Sequence, residues 1–328
     1  MMNKRILVTG VNGFVGSFLK QRLGYKAIDT TYLTRNKEIS ENVFQGEDYI
    51  VKSIDSQTKW MDSLEPFSCI IHCAARVHLM NDVSLNPIDE YREINTAGTL
   101  NLARQAAKSG VKRFIFISSI KVNGEATELG HPFKAIDRRA PEDFYGQSKS
   151  EAEEQLLELA EETGLEVVII RPTLVYGPGV KANFASLLNL VSKGLPLPFG
   201  CITNNKRSLV SVNNLVDLIM TCIDHPKAVN QVFLVSDDND LSTASMVEQM
   251  SKALGKPNRL IPIPLWCYYL AGKLFGKQDV VNRLLGSLQV DISHTKEVLG
   301  WTPPQSVEDG FQETVDALLV SKKESNYK

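Results

Sequence analysis

The sequence predicts an α/β protein, a doubly wound parallel sheet followed by a smaller C-terminal lobe. Three observations predict it. Short continuous runs of Ile, Val and Phe alternate with helix-period stretches through the first half, and such runs suit strands buried on both faces of a parallel sheet. A glycine-rich turn, Gly10-Val11-Asn12-Gly13-Phe14-Val15-Gly16, separates the first apolar run from the first helical stretch. After Arg171-Pro172 prolines become frequent and the elements shorten, which marks a change of architecture.

In chain order, residues 5–9 read as the first buried strand and 14–23 as the first helix. Strands follow near 31–34, 48–51, 69–73, 113–117 and 166–171, with helices near 91–109 and 145–163. Gly110 and Gly164 stand at the two helix ends, where a left-handed residue closes a helix. Strand–helix alternation implies right-handed crossovers between parallel strands. Residues 207–212 and 231–235 read as stretches that return to the sheet, and the cleft between the lobes is the expected ligand site.

The chain has 328 residues, 43% of them hydrophobic and 23% charged, the composition of an ordinary soluble globular protein. A net charge of −2 offers no basic field to nucleic acid. The five cysteines, Cys69, Cys73, Cys201, Cys222 and Cys267, are odd in number and lack metal-site spacing. Free thiols in a reducing cytoplasm, and no metal, are the expectation. The N-terminal residues run straight into a strand without the segments of a secretory signal. The most apolar later stretch, 261–275, contains Pro262, Pro264 and Lys273 and falls short of the roughly 20 apolar residues of a membrane span. It reads as lobe packing, a subunit contact or a face for a membrane surface.

The turn at residues 10–16 is G-x-x-G-x-x-G directly after a strand and opening a helix. Gly10 and Gly13 permit a tight turn and close approach of backbone to a pyrophosphate, and Gly16 permits close helix–strand packing. Asn12, Phe14 and Val15 complete the cofactor-binding turn, and the helix N-terminus supplies N–H donors. A turn can also use glycines for structure alone; its position one strand into the chain, with strand–helix alternation after it, favours a dinucleotide. At the end of the second strand, Tyr32-Leu33-Thr34-Arg35-Asn36 lacks the acid that usually holds the ribose of NAD. Arg35 could pair with a 2′-phosphate or be a solvated loop residue. NADP(H) is the expected cofactor and NAD(H) the alternative.

Tyr145-Gly146-Gln147-Ser148-Lys149 places a phenol and an ammonium one helical turn apart, on one face. A nearby cation lowers a tyrosine pKa from its ordinary value near ~10, as proton exchange with a carbonyl oxygen requires. Alone such a pair is common; Ser118-Ser119, ending a buried strand upstream, adds a hydroxyl at the sheet edge.

With His72-Cys73-Ala74-Ala75, Asn95-Thr96-Ala97-Gly98-Thr99 and Arg171-Pro172-Thr173-Leu174-Val175-Tyr176-Gly177-Pro178, these motifs resemble the extended short-chain dehydrogenases/reductases, the NAD-dependent epimerase/dehydratase family. The resemblance runs to Leu299-Gly300-Trp301. In keeping with the change of texture after Arg171-Pro172, the chain reads as a Rossmann-type domain over 1–174, with returning segments at about 207–236, a substrate-binding lobe from 175–206 and 237–320, and a frayed tail at 321–328. The resemblance implies Ser119 as the hydroxyl holding the sugar carbonyl, Tyr145 as acid/base and Lys149 as its electrostatic partner and ribose contact. Ile54, Ala74, Ala75, Asn95 and Pro172 would border the cofactor, Asn95 through a local hydrogen-bond network. Two departures stand out, Ser53 where the family's acid after the third strand is usual, and Val122-Asn123-Gly124 in place of Val-Tyr-Gly. The first bears on the adenine contact and the second on the sugar site.

Ser118-Ser119-Ile120-Lys121-Val122-Asn123-Gly124-Glu125, Gly179-Val180-Lys181-Ala182-Asn183-Phe184 and Leu195-Pro196-Leu197-Pro198 are similar to UDP-4-keto-6-deoxy-N-acetylglucosamine 4-reductases of surface-polysaccharide biosynthesis. Dehydratases of the family carry Asp-Glu where this chain has Ile120-Lys121, so water elimination is not expected. The same alignment implies substrate contacts at Lys121, Asn183, Phe199 and Arg207, with Arg283 a second phosphate candidate. A guanidinium fits a phosphate as a fork. The structural alternatives are a loop lysine, a helix cap, a core phenylalanine and surface arginines. His72 reads as strand-end packing and His78 as a border of the sugar pocket. The leading expectation is therefore a cytoplasmic homodimer that reduces a UDP-linked 4-keto sugar at C4 with NADPH. The rival is a 4-epimerase with tightly bound NAD, acting on a UDP-hexose or a polyprenyl-diphospho-sugar. A catalytically silent NADP-sensing regulator is the reading from another class.

Overall fold

The inner strands carry continuous apolar runs, such as Phe114–Ile117 and Val167–Ile170, because helices cover both faces of the sheet. The computed structural model describes residues 5–35, 48–77 and 86–326. Its strands are β1 (Ile6–Thr9), β2 (Thr30–Thr34), β3 (Asp48–Val51), β4 (Cys69–His72), β5 (Arg113–Ile117), β6 (Glu166–Pro172), β7 (Leu174–Tyr176), β8 (Leu209–Ser211) and β9 (Gln231–Val235). The helices are α1 (Phe14–Tyr25), α2 (Met61–Leu64), α3 (Pro87–Tyr91), α4 (Thr99–Lys108), α5 (Phe144–Thr163), α6 (Ala182–Ser192) and α7 (Val212–Asp224). They continue with α8 (Thr243–Ala253), α9 (Leu265–Leu274), α10 (Gln278–Leu285), α11 (Ser293–Leu299) and α12 (Val307–Asn326). A π-helical segment, Arg92–Gly98, joins α3 to α4.

Seven strands form one sheet in the order β3-β2-β1-β4-β5-β6-β9. All pairs are parallel, with Ile6 opposite both Thr30 and Cys69, and Phe114 opposite Val167. The order reverses between β1 and β4, and in open α/β sheets the crevice at such a switch, outside the carboxyl ends of the strands, takes the ligand. Period-two alternation sends Val8, Ile71, Ile115 and Ile170 to one face, against Leu19 of α1 and Leu215 and Ile219 of α7. Leu7, Ile70, Phe114 and Ile169 face the other way, onto Leu100 and Ala103 of α4 and Leu156 of α5. A third cluster, with Tyr176, Phe184, Leu188, Met250 and Phe311, forms in the C-terminal half.

Three expectations change. Residues 207–212 do not rejoin the main sheet: β8 pairs with β7 in a separate two-stranded ribbon, Leu174 opposite Leu209 and Tyr176 opposite Ser211. Pro172 has no N–H with which to extend the main ladder, so the chain leaves that sheet at β6's end, and of the two stretches only 231–235 returns, as β9. The helix expected near 91–109 begins earlier, at Pro87, because proline suits a first helical turn. The tail read as frayed is helical through Asn326, since its Lys and Glu residues propagate a helix well.

Asp143 caps α5 with Oδ1 accepting the Gly146 amide at 2.6 Å, and Gly164 closes the helix with φ +76°. Lower on that helix, Glu153 is fully buried. It accepts Arg171 Nε of β6 at 2.9 Å and Ser118 Oγ at 2.5 Å. Asn123 completes the group by accepting Arg171 Nη1 at 3.0 Å. Breaking a buried ion pair strands a charge in the interior. Arg171→Met should therefore lower stability by about 3–5 kcal/mol in urea unfolding, and adding Glu153→Gln should recover much of the loss. A loss below about 1 kcal/mol for the single variant would show that the pair is not a structural tie.

Candidate active site

Gly10 follows β1 with φ +72°, and a Cβ there would lie 2.5 Å from the Ala74 nitrogen. The turn thus rests directly on the chain leaving β4. A Cβ on Gly16 would lie 2.2 Å from the Gly10 carbonyl oxygen, so α1 packs against the same turn without any side chain between them. Gly13 caps α1 with extended backbone and no side-chain acceptor, and the first turn of α1 carries no acid. Its leading amides are directed at an uncapped end, the arrangement that receives a pyrophosphate. Asn12 Nδ2 lies 3.5 Å from Thr34 Oγ1 and ties the turn to the end of β2. Phe14 and Val15 pack on the core beneath α1. Arg35 is exposed just past β2. Ile54 is buried beyond β3. Asp55 is turned to its own loop, accepting the Thr58 hydroxyl at 2.8 Å, a bond that holds its carboxyl below the usual range. These residues fit a bound dinucleotide.

At the carboxyl ends of β4 and β5 the site becomes polar and enclosed. His72 Nδ1 meets Thr9 Oγ1 at 2.9 Å and Nε2 meets Thr99 Oγ1 at 3.0 Å. Burial, with Lys149 close by, lowers its pKa to about 3, so the imidazole is neutral and holds strand ends together. Ala74 donates its amide to Thr9 Oγ1 at 3.2 Å, and Ala75 follows it. Asn95, on the π-helical segment, brackets the next residue, accepting the Arg76 amide at 2.8 Å and donating to its carbonyl at 3.0 Å. It also donates to Ser148 Oγ at 3.0 Å, which binds the segment to α5. Pro172 is buried at the end of β6.

Ser119 follows β5, and its Oγ accepts the Lys121 amide at 3.2 Å. Its own hydroxyl hydrogen remains available to donate. Neighbouring Ser118 is buried and committed to Glu153, so of the two serines Ser119 is the one open to a ligand. Tyr145 stands in the first turn of α5, where burial, Asp143 and Tyr91 push its pKa well above the ordinary phenol value. Lys149, one turn on, is buried. Its Nζ donates to the Ile117 carbonyl at 2.9 Å and lies 4.2 Å from the centre of the Phe116 ring. Burial lowers its pKa to about 7, with Cys73 and Glu153 opposing the shift. The contact to Ile117 had no counterpart among the sequence expectations.

The substrate candidates divide. Lys121 is paired within the chain, its Nζ 2.5 Å from Asp143 Oδ2 and 2.6 Å from Glu125 Oε1. Burial opposes its charge, but the bonds to Asp143 and Glu125 outweigh it and raise the pKa. An ammonium between two carboxylates already has strong partners within the chain. Asn123 is buried in the Arg171 group. Asn183 is exposed in the first turn of α6, next to Ala182 with φ +57°. Phe199 is partly buried and packs on the third core cluster. Arg207 Nη1 donates to the Arg283 carbonyl at 2.8 Å, and burial together with the Arg283 charge lowers its pKa. Neither guanidinium forms an ion pair among the described residues. Two neighbouring cations without carboxylates are suited to a diphosphate. His78 lies outside the described residues. A hollow of about 430 Å³ near Asp237 and Pro304 contains none of these groups.

Sequence reasoning passed over Glu153 and Asp143. Glu153 is four residues beyond Lys149, on the same helical face, and an Asp immediately before a helix is a capping signal. Both were legible.

The profile of the NAD dependent epimerase/dehydratase family matches residues 6–236. A UDP-glucose 4-epimerase of Vibrio cholerae is 60% identical over 319 residues, 97% of this chain and 96% of that protein. Among solved structures, a Thermotoga maritima UDP-glucose 4-epimerase with UDP-glucose has a TM-score of 0.75 at 22% identity, covering 97% of this chain and 99% of that one. A Bacillus cereus UDP-glucuronic acid 4-epimerase in complex with NAD has a TM-score of 0.75 at 19% identity, with 97% and 99% covered.

The depressed Lys149 pKa has a thermodynamic consequence. Between about pH 7 and the ordinary lysine value of 10.5, the unfolded chain binds a proton at Lys149 that the folded chain does not. Stability gains from rising pH wherever the unfolded state holds more protons. In the dinucleotide-free protein, Lys149→Met should flatten the upward trend of the unfolding midpoint across that window. Parallel pH profiles for the two proteins would mean that Lys149 keeps an ordinary pKa.

Proposed function

The chain belongs to the NAD-dependent epimerase/dehydratase family, and from that premise we propose that it is a UDP-sugar 4-epimerase that keeps its nicotinamide cofactor bound between turnovers. The similarity to the Vibrio cholerae UDP-glucose 4-epimerase, at 60% identity over 97% of this chain, carries the reading. It also corrects the expectation of net 4-keto-sugar reduction. The segments around Lys121, Asn183 and Pro196 that suggested a reductase do not separate the two reactions, because both move a hydride at C4 with one Ser/Tyr/Lys set. Lys121, the most distinctive of those residues, is occupied by Asp143 and Glu125.

A nicotinamide cofactor held at the Gly10–Gly16 turn would supply the acceptor and donor for the C4 hydride. Tyr145 takes the C4 hydroxyl proton as the hydride leaves and gives it back when the hydride returns to the other face. In the free protein burial favours the neutral phenol, so Tyr145 needs cationic help to act as a base. Lys149 supplies it, and Lys121 limits the opposing effect of Asp143 by pairing with it. Ser119 donates to the C4 oxygen with the hydrogen its amide contact leaves unused. Arg207 and Arg283 hold the diphosphate, a fixed anchor about which the sugar turns. Remote anchoring of this kind contributes to turnover as well as affinity.

The chain is an NAD(P)-dependent enzyme of the short-chain dehydrogenase/reductase type. Of the two cofactors, a recycled hydride favours NAD⁺, which need not be replenished from the reducing NADPH pool. The NADP(H) expectation rests on the missing acid at the end of β2 and on Arg35, which is exposed. A homodimer in the cytoplasm, where UDP-sugars and nicotinamide cofactors are both supplied, completes the proposal.

The purified protein should carry NAD⁺ and interconvert UDP-glucose and UDP-galactose with no net change in nicotinamide absorbance. Protein that arrives without cofactor, leaves both sugars unchanged and consumes NADPH only with a 4-keto sugar would overturn the proposal. Tyr145→Phe should lower turnover roughly 10²–10⁴-fold, the usual scale for a lost acid/base group, with the dinucleotide still bound. Turnover within a few-fold of the parent would remove Tyr145 from the chemistry. Arg207→Ala should raise KM and depress kcat together, whereas a change in KM alone would make it a simple binding contact.

A further inference from the structure

Helix α9, Leu-Trp-Cys-Tyr-Tyr-Leu-Ala-Gly-Lys-Leu, turns its largest apolar side chains outward. Trp266 is 65% exposed, Tyr269 and Leu270 50%, Leu274 72% and the following Phe275 77%. Leu265, Trp266, Tyr269, Leu270, Lys273 and Leu274 recur at i, i+1, i+4, i+5, i+8 and i+9, a single stripe along the helix that Phe275 prolongs past its end. The opposite side is spoken for: Gly272 is buried, with Val281 of α10 against it. Val280, on α10, extends the exposed apolar surface. Contiguous exposed apolar area on this scale marks an interaction site.

Charge indicates what covers it. Residues 256–286 contain Lys256, Arg259, Lys273, Lys277 and Arg283 against the single acid Asp279, a net charge of +4 in a chain whose total is −2. Lys273 lies within the apolar stripe and Lys277 at its end, and both are exposed. Neither forms an ion pair among the described residues. Lysine stems can lie along apolar surface with the ammonium raised to phosphate level. Trp and Tyr beside aliphatic residues, with lysines at the rim, match the boundary between lipid headgroups and acyl chains. A ten-residue helix is about 15 Å long and cannot cross a bilayer. Among the described residues, no helix is long and apolar enough to do so.

We propose that α9 and the start of α10 form a monotopic docking face that seats the protein on an anionic phospholipid surface. The apolar stripe enters the headgroup boundary, and Lys273 and Lys277 pair with lipid phosphates. The face adjoins the substrate end of the molecule. Leu265 and Leu285 line a cavity of about 210 Å³ together with Cys201, Ile202 and Asn205. Arg207 reaches the carbonyls of Arg283 and Gly286 at the end of α10. The inference does not depend on which reaction the site performs.

Full-length protein should co-sediment with vesicles of phosphatidylcholine and phosphatidylglycerol, and bind pure phosphatidylcholine far more weakly. Raised salt should weaken binding to the anionic vesicles, since surface attraction is screened. Lys273→Glu/Lys277→Glu should cut partitioning about tenfold or more, given the usual effect of each basic residue near an anionic surface. Leu274→Ser/Phe275→Ser should do the same by removing buried apolar area. All four side chains are exposed, so both double variants should keep their activity on soluble UDP-sugar, which reports folding. Failure of the parent to sediment with anionic vesicles would overturn the proposal, as would undiminished binding by both variants. If sedimentation velocity instead shows the same substitutions dissolving an oligomer while vesicle binding is absent, the face is a contact between copies of the chain, and the lipid proposal is wrong.

Discussion

Helix α5 carries Tyr145, and everything proposed for the site depends on how firmly it is fixed to the sheet. Lys149 reaches from that helix to the Ile117 carbonyl at the carboxyl end of β5. Above it, Asp143 caps the helix while binding Lys121, which itself follows Ser119. Below it, Glu153 binds Ser118 and Arg171, joining α5 to β5 and β6. Alongside, Asn95 holds Ser148. The ties come from three sides and are mostly buried, where a hydrogen bond or ion pair is strong and its loss expensive. The phenol and the Ser119 hydroxyl are thereby positioned by groups that are not themselves reactive.

The same arrangement explains the titration behaviour. An ammonium buried beside the neutral His72 and the Phe116 ring loses solvation, and its pKa falls to about 7. Tyr145 is displaced the other way by burial. Each shift disfavours charge in the free protein. The two shifts have one cause, the removal of water from the start of α5.

Much of the fold was legible because it follows from local patterning. Apolar runs at 6–9, 69–72 and 113–117 became adjacent strands, and the glycines at 10, 13 and 16 fell at the turn they implied. Pairing between distant segments was less legible: β8 is a short apolar run like any returning strand, and only the three-dimensional position of β7 decides its partner. At the site, the order Ser119, Tyr145, Lys149 could be read from spacing and family resemblance. Lys121 could not be read, because its partners Glu125 and Asp143 are set by how the loop after β5 meets the cap of α5. Arg283 looked a weak candidate in the sequence, yet the fold brings its backbone and charge beside Arg207. The reaction itself was misread at the level of net reduction, since residue types around C4 chemistry are shared by enzymes that release the cofactor and enzymes that retain it.

Retention of the hydride is therefore the central claim, and isotope transfer tests it most directly. UDP-glucose carrying deuterium at C4 would be incubated with the enzyme, and the UDP-galactose formed would be analysed by mass spectrometry and proton NMR. The account predicts that the product keeps its deuterium at C4, with no label in the nicotinamide of the solution. Deuterium passing to free nicotinamide cofactor, or C4 hydrogen exchanging with solvent, would contradict it.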